Sequence, residues 1–128
     1  MRSRFAAFAL GLGEYLVETL AEEHPDREHP REELVRSLTR ARERQRFLDL
    51  RILETCTEGD HGEVLFHARV FERGEDRSFA ELSSFQREGA AWRYATGVLV
   101  SAAHLPGDVG TLDKRTFLAL AHERREWP

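Results

Sequence analysis

Residues 78–97, SFAELSSFQREGAAWRYATG, decide the fold of this chain because they have the pattern of a β-hairpin. A turn at Glu88-Gly89 separates two strands of mixed polar and apolar residues. Side chains two residues apart on a strand lie on the same face. The first strand is therefore expected to carry four residues on one face: Phe79, Glu81, Ser83 and Phe85. The second strand is expected to do the same with Trp92, Tyr94, Thr96 and Val98.

Two further strands are predicted before this hairpin. Residues 47–58 alternate Leu48, Leu50 and Ile52 with other residues, and residues 63–72 repeat the pattern. Turn-forming sequences, GDHG at 59–62 and GED at 74–76, connect the strands. The four strands together predict an antiparallel meander.

Three helices are predicted before the strands. Apolar residues recur at helical spacing between positions 5 and 20, and Gly11 divides them into two short helices because glycine is unfavourable inside a helix. Pro30 suits the first turn of a third helix, which is expected to run to about Arg46. Its buried side is expected to carry Leu34, Val35 and Leu38. Helices followed by a meander predict an α+β fold, with N-terminal helices packed on a curved four-stranded antiparallel sheet.

The C-terminal segment is set apart by the sequence LPGD at 105–108. Asp113 is expected to cap a helix that carries Phe117, Leu120 and Ala121. We therefore predict a domain at residues 1–104 and a helical tail at residues 105–128 that packs on it. The tail is expected to cover the open mouth of the cone that the helices and the sheet form. Alternatively, it presents its apolar stripe and Trp127 to a partner.

The composition is that of a soluble protein with one domain. The chain has 128 residues, of which 41% are hydrophobic and 33% charged, and its net charge is -4. The acidic balance argues against nucleic-acid binding through a basic surface. No apolar run approaches the roughly 20 residues that cross a bilayer. We therefore expect a cytoplasmic protein, a monomer or a weak homodimer, with neither nucleic acid nor membrane as a partner.

Neither a metal nor a cofactor is expected. Cys56 is the sole cysteine, which excludes an intrachain disulfide and a zinc site built on several thiolates. The six histidines show no HxH or HExxH spacing. His67 falls on the strand face opposite to Phe66 and is expected to face solvent.

The start of the chain and the hairpin together resemble a known family. MRSRFAAFALG, followed by EYL and then HP, is similar to the start of the middle domain of YchJ-type proteins. This bacterial group belongs to the nuclear transport factor 2-like superfamily, and its pattern continues with a strand containing Glu and Ser and then a W-x-Y-x-x-G strand. The resemblance covers about residues 2–97. The matching residues are Arg2, Ser3, Arg4, Gly11, Tyr15, Leu16, Thr19, His24, Pro25, Phe79, Glu81, Ser83, Phe85, Gly89, Trp92, Tyr94 and Gly97.

The resemblance implies a helix-on-sheet cone, in a superfamily that contains isomerases, dehydratases and cyclases as well as binding modules without activity. Two departures limit what it implies. The family's histidine before the glutamate is Ala80 here, so no imidazole role is expected at that position. Family members usually carry cysteine-rich zinc motifs, similar to the end of the SecA translocase, and this sequence contains none.

Glu81 is the strongest candidate for chemistry. If Phe79 and Phe85 face inward, Glu81 faces inward as well, and burial raises the pKa of an unpaired carboxyl. Such a carboxyl is a suitable general base or acid near neutral pH. The preferred interpretation, made natural by the resemblance, is nevertheless a structural ion pair with Arg2 or Arg4, and simple surface exposure is the third possibility.

The other candidate site residues are expected to line the same pocket as Glu81. The hydroxyls of Tyr15 and Tyr94 can donate a hydrogen bond to the carbonyl of a ligand. More often, the hydroxyl of such a tyrosine makes its hydrogen bond with a nearby group of the protein. Trp92 is expected in the core. The predicted pocket residues are Arg2, Arg4, Tyr15, Phe66, Glu81, Ser83, Trp92 and Tyr94.

Three functions are compatible with this pattern. The leading hypothesis is non-catalytic binding of a small molecule or a protein partner in the concave pocket, because the sequence shows a lined cavity without a clear set of acid, base and electrophile. The alternative is an isomerase, dehydratase or cyclase type of enzyme with Glu81 as general base and Tyr15 or Tyr94 as donor. A third interpretation is a structural protein that dimerises through the outer face of the sheet.

Overall fold

The computed structural model describes residues 1–125 as three helices, an antiparallel sheet and a fourth helix. The helices are α1 (Arg2–Leu10), α2 (Gly13–Glu18), α3 (Arg31–Arg44) and α4 (Lys114–Arg125). The strands are β1 (Gln45–Glu58), β2 (His61–Glu72), β3 (Glu75–Asp76), β4 (Phe79–Glu88) and β5 (Ala91–Ser101). The predicted α+β class is confirmed.

The sheet is the predicted meander with one short strand added. Its long strands lie in the order β1-β2-β4-β5, and every neighbouring pair is antiparallel. The added strand, β3, contributes two residues and pairs with the end of β2. The hairpin read from the sequence is β4 and β5, which pair from Phe79 with Ser101 to Glu88 with Ala91.

The junction of α1 and α2 depends on glycine. Gly11 ends α1 with a φ of 70°, a left-handed conformation that glycine adopts without steric cost. This confirms the prediction of two short helices joined at Gly11. At Gly13, a side chain would collide with the Thr39 side chain and the Val35 carbonyl. Glycine therefore lets α2 lie directly against α3.

A β-bulge in β5 overturns one expectation from the sequence. Ser84 pairs with Thr96 but Phe85 pairs with Tyr94, so Ala95 is an extra residue between two registers. Tyr94 consequently shares the face of Phe85. Trp92 shares it too, whereas Thr96 and Val98 lie on the other face. The prediction that these four residues share one face is therefore wrong.

The sheet has an apolar core on each face. On the face that α1 covers, Phe66, Ala68 and Val70 form the buried centre of a cluster that includes Phe5 and Phe79. On the opposite face, α4 and the segment before it cover the apolar residues of β2, β4 and β5. That second cluster contains Leu65, Ala80, Leu82, Val100, Leu112, Phe117 and Ala121.

The position of α4 corrects the expectation for the tail. The helix is capped as predicted, because the Thr116 N–H donates to the Asp113 carboxylate over 2.8 Å. Phe117 is fully buried, but against the outer face and not over the mouth of the cone. The outer face has its own apolar row, which must be covered. Trp127, the other feature of the tail prediction, lies outside the described residues.

Candidate functional site

A buried arginine on α1 borders two cavities beside the sheet. Arg4 is 6% exposed. The first cavity, of about 330 Å³, has Glu81 and Tyr94 in its wall and is called the Glu81 cavity below. The second, of about 260 Å³, has Tyr15 and Trp92 in its wall and is called the Trp92 cavity. Arg4 lines both.

The Glu81 cavity has a largely aromatic wall. Phe8 stacks on Phe47 with ring centroids 5.6 Å apart, and Phe5 meets Phe47 edge-on at 5.7 Å. From the sheet, Phe66 and Phe79 meet at 6.1 Å. Phenylalanines from α1, β1, β2 and β4 thus surround the space, as is typical of pockets that hold an apolar molecule.

The polar end of this cavity is the Glu81 carboxylate and its two hydroxyl donors. The Tyr94 hydroxyl donates to Oε2 of Glu81 over 3.0 Å. The hydroxyl of Ser83, a fully buried residue, donates to the same oxygen. Within residues 1–125, Oε1 of Glu81 accepts no hydrogen bond, so it is the oxygen that a ligand can use.

Burial is the main cause of the pKa shifts of Glu81 and Tyr94. Desolvation raises the pKa of the Glu81 carboxyl, against the lowering effects of Ser83, Tyr94 and Arg4. Desolvation also raises the pKa of the Tyr94 hydroxyl, and the neighbouring Glu81 adds to that increase. Glu81 therefore takes up a proton at a higher pH than an ordinary glutamate does.

The ion pair considered from the sequence is not formed. Arg4 donates from Nη1 to the Leu16 carbonyl over 2.9 Å and to the Thr19 hydroxyl. Its guanidinium carbon lies 4.8 Å from the centroid of the Tyr94 ring, a cation–π contact. Among the described residues, Arg4 and Glu81 make no direct salt bridge. Tyr94 connects them instead, through its ring and its hydroxyl.

Arg2 is a predicted site residue that the structure brings neither to a cavity nor to Glu81. Its side chain is exposed, while Arg4 lies two positions further along α1 and is buried. Residues two apart on a helix point in different directions. The prediction of an Arg2–Glu81 ion pair is therefore wrong.

Gly97 makes room for the bond between Tyr94 and Glu81. It pairs with Ser83 across the hairpin. A Cβ atom at Gly97 would lie 2.6 Å from Cδ of Glu81 and would collide with the Tyr94 hydroxyl. The glycine of the W-x-Y-x-x-G pattern thus has a physical role in the site.

His24 is a site residue that sequence reasoning missed. Its ring lies 5.8 Å from the Tyr94 ring, and it lines the Glu81 cavity. Its Nδ1 accepts the Asp26 N–H over 3.0 Å. Desolvation lowers the pKa of the His24 imidazole. The available signal was the HP pair of the family pattern, His24 and Pro25.

The segment before His24 is attached to the edge of β5. The Tyr94 N–H donates to the Thr19 carbonyl, and the Ala21 N–H donates to the Tyr94 carbonyl, each over 2.7 Å. Leu20 and Tyr94 thereby form a parallel β-bridge. This bridge places the end of α2 and the following residues beside the polar end of the Glu81 cavity.

Two predicted residues, Tyr15 and Trp92, lie in the wall of the other cavity. The Tyr15 hydroxyl donates to the Ser3 hydroxyl over 2.7 Å, so it is satisfied locally, which was the preferred interpretation. Trp92 is 37% exposed, and the expectation that it lies in the core is wrong. Its ring extends over Gly62 and meets the Arg87 guanidinium at 4.8 Å. Trp92 is the second residue of β5 and so lies near the turn of the hairpin.

The structure thus divides the predicted pocket residues. Phe66, Glu81 and Tyr94 line one cavity, Tyr15 and Trp92 line the other, and Arg4 lines both. Ser83 supports Glu81 from a buried position. His67 is half-buried and not on an open solvent face, because residues of the C-terminal segment cover part of its side of the sheet.

Two further findings on the described part of the chain concern metal sites and helices that could span a membrane. No group of three or more His, Cys, Asp or Glu residues within 1–125 is arranged to hold a metal ion. No helix in the same range has the length and apolar character needed to span a membrane.

Comparisons with known proteins agree with this architecture. The model of the family described as YchJ, middle NTF2-like domain, matches residues 1–97. The solution structure of a SEC-C motif containing protein from Rhodopseudomonas palustris is similar, with a TM-score of 0.63 and 33% sequence identity over 76% of this chain and 73% of that chain. The search of curated proteins found no match. The chain therefore belongs to the family of YchJ middle domains, and residues 1–97 are its NTF2-like domain.

Proposed function

We propose that this domain binds a small, largely apolar molecule in the Glu81 cavity without transforming it. The observation that carries the proposal is a cavity of about 330 Å³ whose wall is largely aromatic and has the Glu81 carboxyl among its polar groups. Pockets for small molecules are of this kind, with volumes from about 300 Å³ upward and few polar groups among apolar ones. The fold alone does not decide between binding and catalysis.

The ligand group that fits the polar end is a hydroxyl. Oε1 of Glu81 is available, and burial raises the pKa of this carboxyl, which accepts hydrogen bonds when ionised and can also donate one when protonated. A hydroxyl both donates and accepts hydrogen bonds, so it can pair with either form. We therefore expect a ligand with an apolar body and a hydroxyl directed at Glu81.

Native mass spectrometry of the purified protein, compared with its denatured mass, tests the binding proposal. We expect an additional mass on the native protein that is absent after denaturation. Leu38→Trp, in the wall of the cavity, should remove this mass by filling the space. Leu48→Trp is the matched control, because Leu48 is 53% exposed. Retention of the mass in Leu38→Trp, or its absence from the wild type, would contradict the proposal.

A second candidate function is favoured by one observation, the buried Glu81 carboxyl beside the Tyr94 hydroxyl, where desolvation raises the pKa of Glu81. A carboxyl that titrates nearer to neutrality is better suited to general acid–base chemistry than an ordinary one. An isomerase, dehydratase or cyclase type of reaction would use Glu81 as base and the Tyr94 hydroxyl as donor. The released ligand should be incubated with wild type and with Glu81→Gln and followed by NMR. Conversion by the wild type alone supports catalysis, and an unchanged ligand supports binding.

We also propose that the domain acts in the cytoplasm as a monomer or weak homodimer, without nucleic-acid or membrane partners. The net charge of -4 supports the nucleic-acid part of this proposal. Sedimentation at several protein concentrations tests the oligomeric state. A dimer that persists on dilution would contradict it.

A further inference from the structure

We propose that the Trp92 cavity is a second binding site, which takes a small organic carboxylate with a flat, aromatic body. This cavity has a volume of about 260 Å³ and includes Arg4 but not Glu81. It lies at the turn end of the hairpin, between α1, α2 and the sheet. The proposal is independent of the ligand proposed for the Glu81 cavity.

The charge balance around Arg4 is the first argument. Arg4 is 94% buried, since its exposure is 6%, and its Nε has no hydrogen-bond acceptor among residues 1–125. Its Nη1 is paired with the Leu16 carbonyl and the Thr19 hydroxyl, but no carboxylate among the described residues makes a salt bridge with this guanidinium. A buried cation without a direct counter-ion is unfavourable. A carboxylate ligand would provide that counter-ion, and guanidinium–carboxylate hydrogen bonds are among the stronger ones in proteins.

The position of the two nearby carboxylates shows which cavity suits an anion. Glu81 lines the first cavity, where its ionised form would repel a second carboxylate. The acid in the wall of the Trp92 cavity is Glu63, and Lys114 neutralises it through a direct salt bridge. An anion beside Arg4 therefore meets less opposition on the Trp92 side.

The other residues that line the Trp92 cavity indicate the charge and the shape of a ligand that fits it. Neutral hydroxyls face this cavity from both the helices and β1: Ser3, Thr19, Thr55 and Thr57. Arg4 is the cationic side chain in the wall, and Met1, which carries the N-terminal amino group, lines the same cavity. Trp92, Phe85 and Tyr15 supply aromatic surfaces against which a flat molecule can pack.

Benzoate is a direct probe of this site. Two-dimensional ¹H–¹⁵N NMR resolves the Trp92 indole N–H and the Arg4 Nε–H in the intact protein, with Trp127→Phe to assign the indole signal. We expect both signals to shift saturably with benzoate. Benzamide, which has the same shape without the charge, should bind about tenfold more weakly or not at all. Equal shifts with benzamide, or none with benzoate, would overturn the proposal.

Inorganic phosphate tests the chemistry of the anion. If phosphate shifts the Arg4 signal as strongly as benzoate does and the Trp92 signal stays unchanged, the site recognises a small inorganic anion and the proposed flat carboxylate is wrong. If benzoate binds more tightly than phosphate, the role assigned to the aromatic wall is supported.

Variants locate the binding without removing Arg4, whose loss would leave buried groups unpaired. Thr57→Val and Trp92→Leu change exposed residues of the wall, and each should weaken benzoate binding by about tenfold. Thr96→Val, on the opposite face of the sheet, is the matched control and should leave it unchanged. Leu38→Trp should also leave it unchanged. Loss of benzoate binding in Leu38→Trp would place the anion in the Glu81 cavity and refute a second site.

Discussion

Glu81 accepts hydrogen bonds from hydroxyl groups and makes no salt bridge with a guanidinium among the described residues, and this difference determines the direction of its pKa shift. Ser83 and Tyr94 both donate to Oε2, while Arg4 meets the ring of Tyr94. These contacts favour the ionised carboxylate but do not offset its desolvation, so the pKa is raised. The residue is therefore stabilised in place and still able to exchange a proton.

Glu81→Gln should change how stability depends on pH. Because the folded-state pKa of Glu81 is raised, ionisation of this carboxyl destabilises the folded protein. The wild type should lose stability relative to Glu81→Gln as the pH rises from 4.5, the ordinary value, through the raised folded-state pKa. Urea unfolding followed by circular dichroism, between about pH 4 and pH 8, measures the difference.

Glu58→Gln serves as the control for this experiment, since Glu58 is exposed at the end of β1. Its difference from the wild type should vary little with pH. A constant difference for Glu81→Gln, or one that changes in the wild type's favour as the pH rises, would contradict the assignment.

Gly97→Ala should destabilise the protein by about 1–3 kcal/mol, the usual range for overpacking. The added Cβ would lie 2.6 Å from Cδ of Glu81 and would displace the Tyr94 hydroxyl. Gly107→Ala is the control, because no atom lies within 4 Å of the corresponding position. Urea unfolding of the three proteins provides the comparison, and equal stability of the two variants would show that Gly97 is not needed for space.

At the scale of single elements, one extra residue in β5 determines which side chains reach the site. The bulge at Ala95 brings Tyr94 onto the face of Glu81 and sends Thr96 and Val98 to the other face. Bulges of this kind often redirect side chains near functional sites. Without it, Tyr94 and Gly97 could not both lie next to Glu81, because strict alternation places residues three apart on opposite faces.

The elements themselves were predictable because their signals are local. Gly11 and Pro30 mark helix boundaries through their own backbone preferences, and alternation along 79–85 gives the orientation of Glu81. The bulge leaves no such signal, since alanine at 95 fits either face. The location of α4 was also missed. Its apolar stripe predicts burial, but Val98 had been assigned to the wrong face, so the outer face was not recognised as a second core.

Phe117→Ala should cost about 3–5 kcal/mol of stability if α4 is an integral cover of the outer face. Phe117 is 0% exposed and packs with Leu65, Leu82 and Val100. Leu118→Ala, at the neighbouring residue with 40% exposure, should cost much less. Urea unfolding tests the pair, and similar losses for both would mean that α4 contributes little to the core.

At the scale of the whole molecule, the two faces of the sheet are covered in different ways. The outer face is closed by α4 and its preceding segment over a continuous apolar cluster. The inner face is covered by α1, and two cavities remain beside its Arg4. The fold therefore separates a face that supplies stability from a face that has room for ligands.

The same arrangement half-buries a histidine on each face, and this predicts weaker stability in mild acid. Desolvation lowers the pKa of both His24 and His67 below the ordinary 6.5. The unfolded chain then binds more protons, so stability falls as the pH drops below 6.5 through the lowered folded-state values. A His24→Gln/His67→Gln double variant should lack this part of the decline.

Thermal unfolding midpoints measured between about pH 7.5 and pH 5.5 provide the test. His29→Gln, at an exposed position, is the control and should follow the wild type. An equal decline in the double variant and the wild type would assign the pH dependence to other groups.

The parallel bridge between Leu20 and Tyr94 also has a consequence for the order of folding. Its two residues are 74 positions apart, since 94 − 20 = 74, whereas the strands of the β4–β5 hairpin are neighbours in sequence. Contacts between distant residues require a large loop to close and generally form after local ones. The hairpin can therefore assemble first, and docking of residues 1–27 onto its edge completes both cavities. Transient release of that N-terminal segment, with the sheet intact, would widen both cavities and would speed the exchange of a bound molecule.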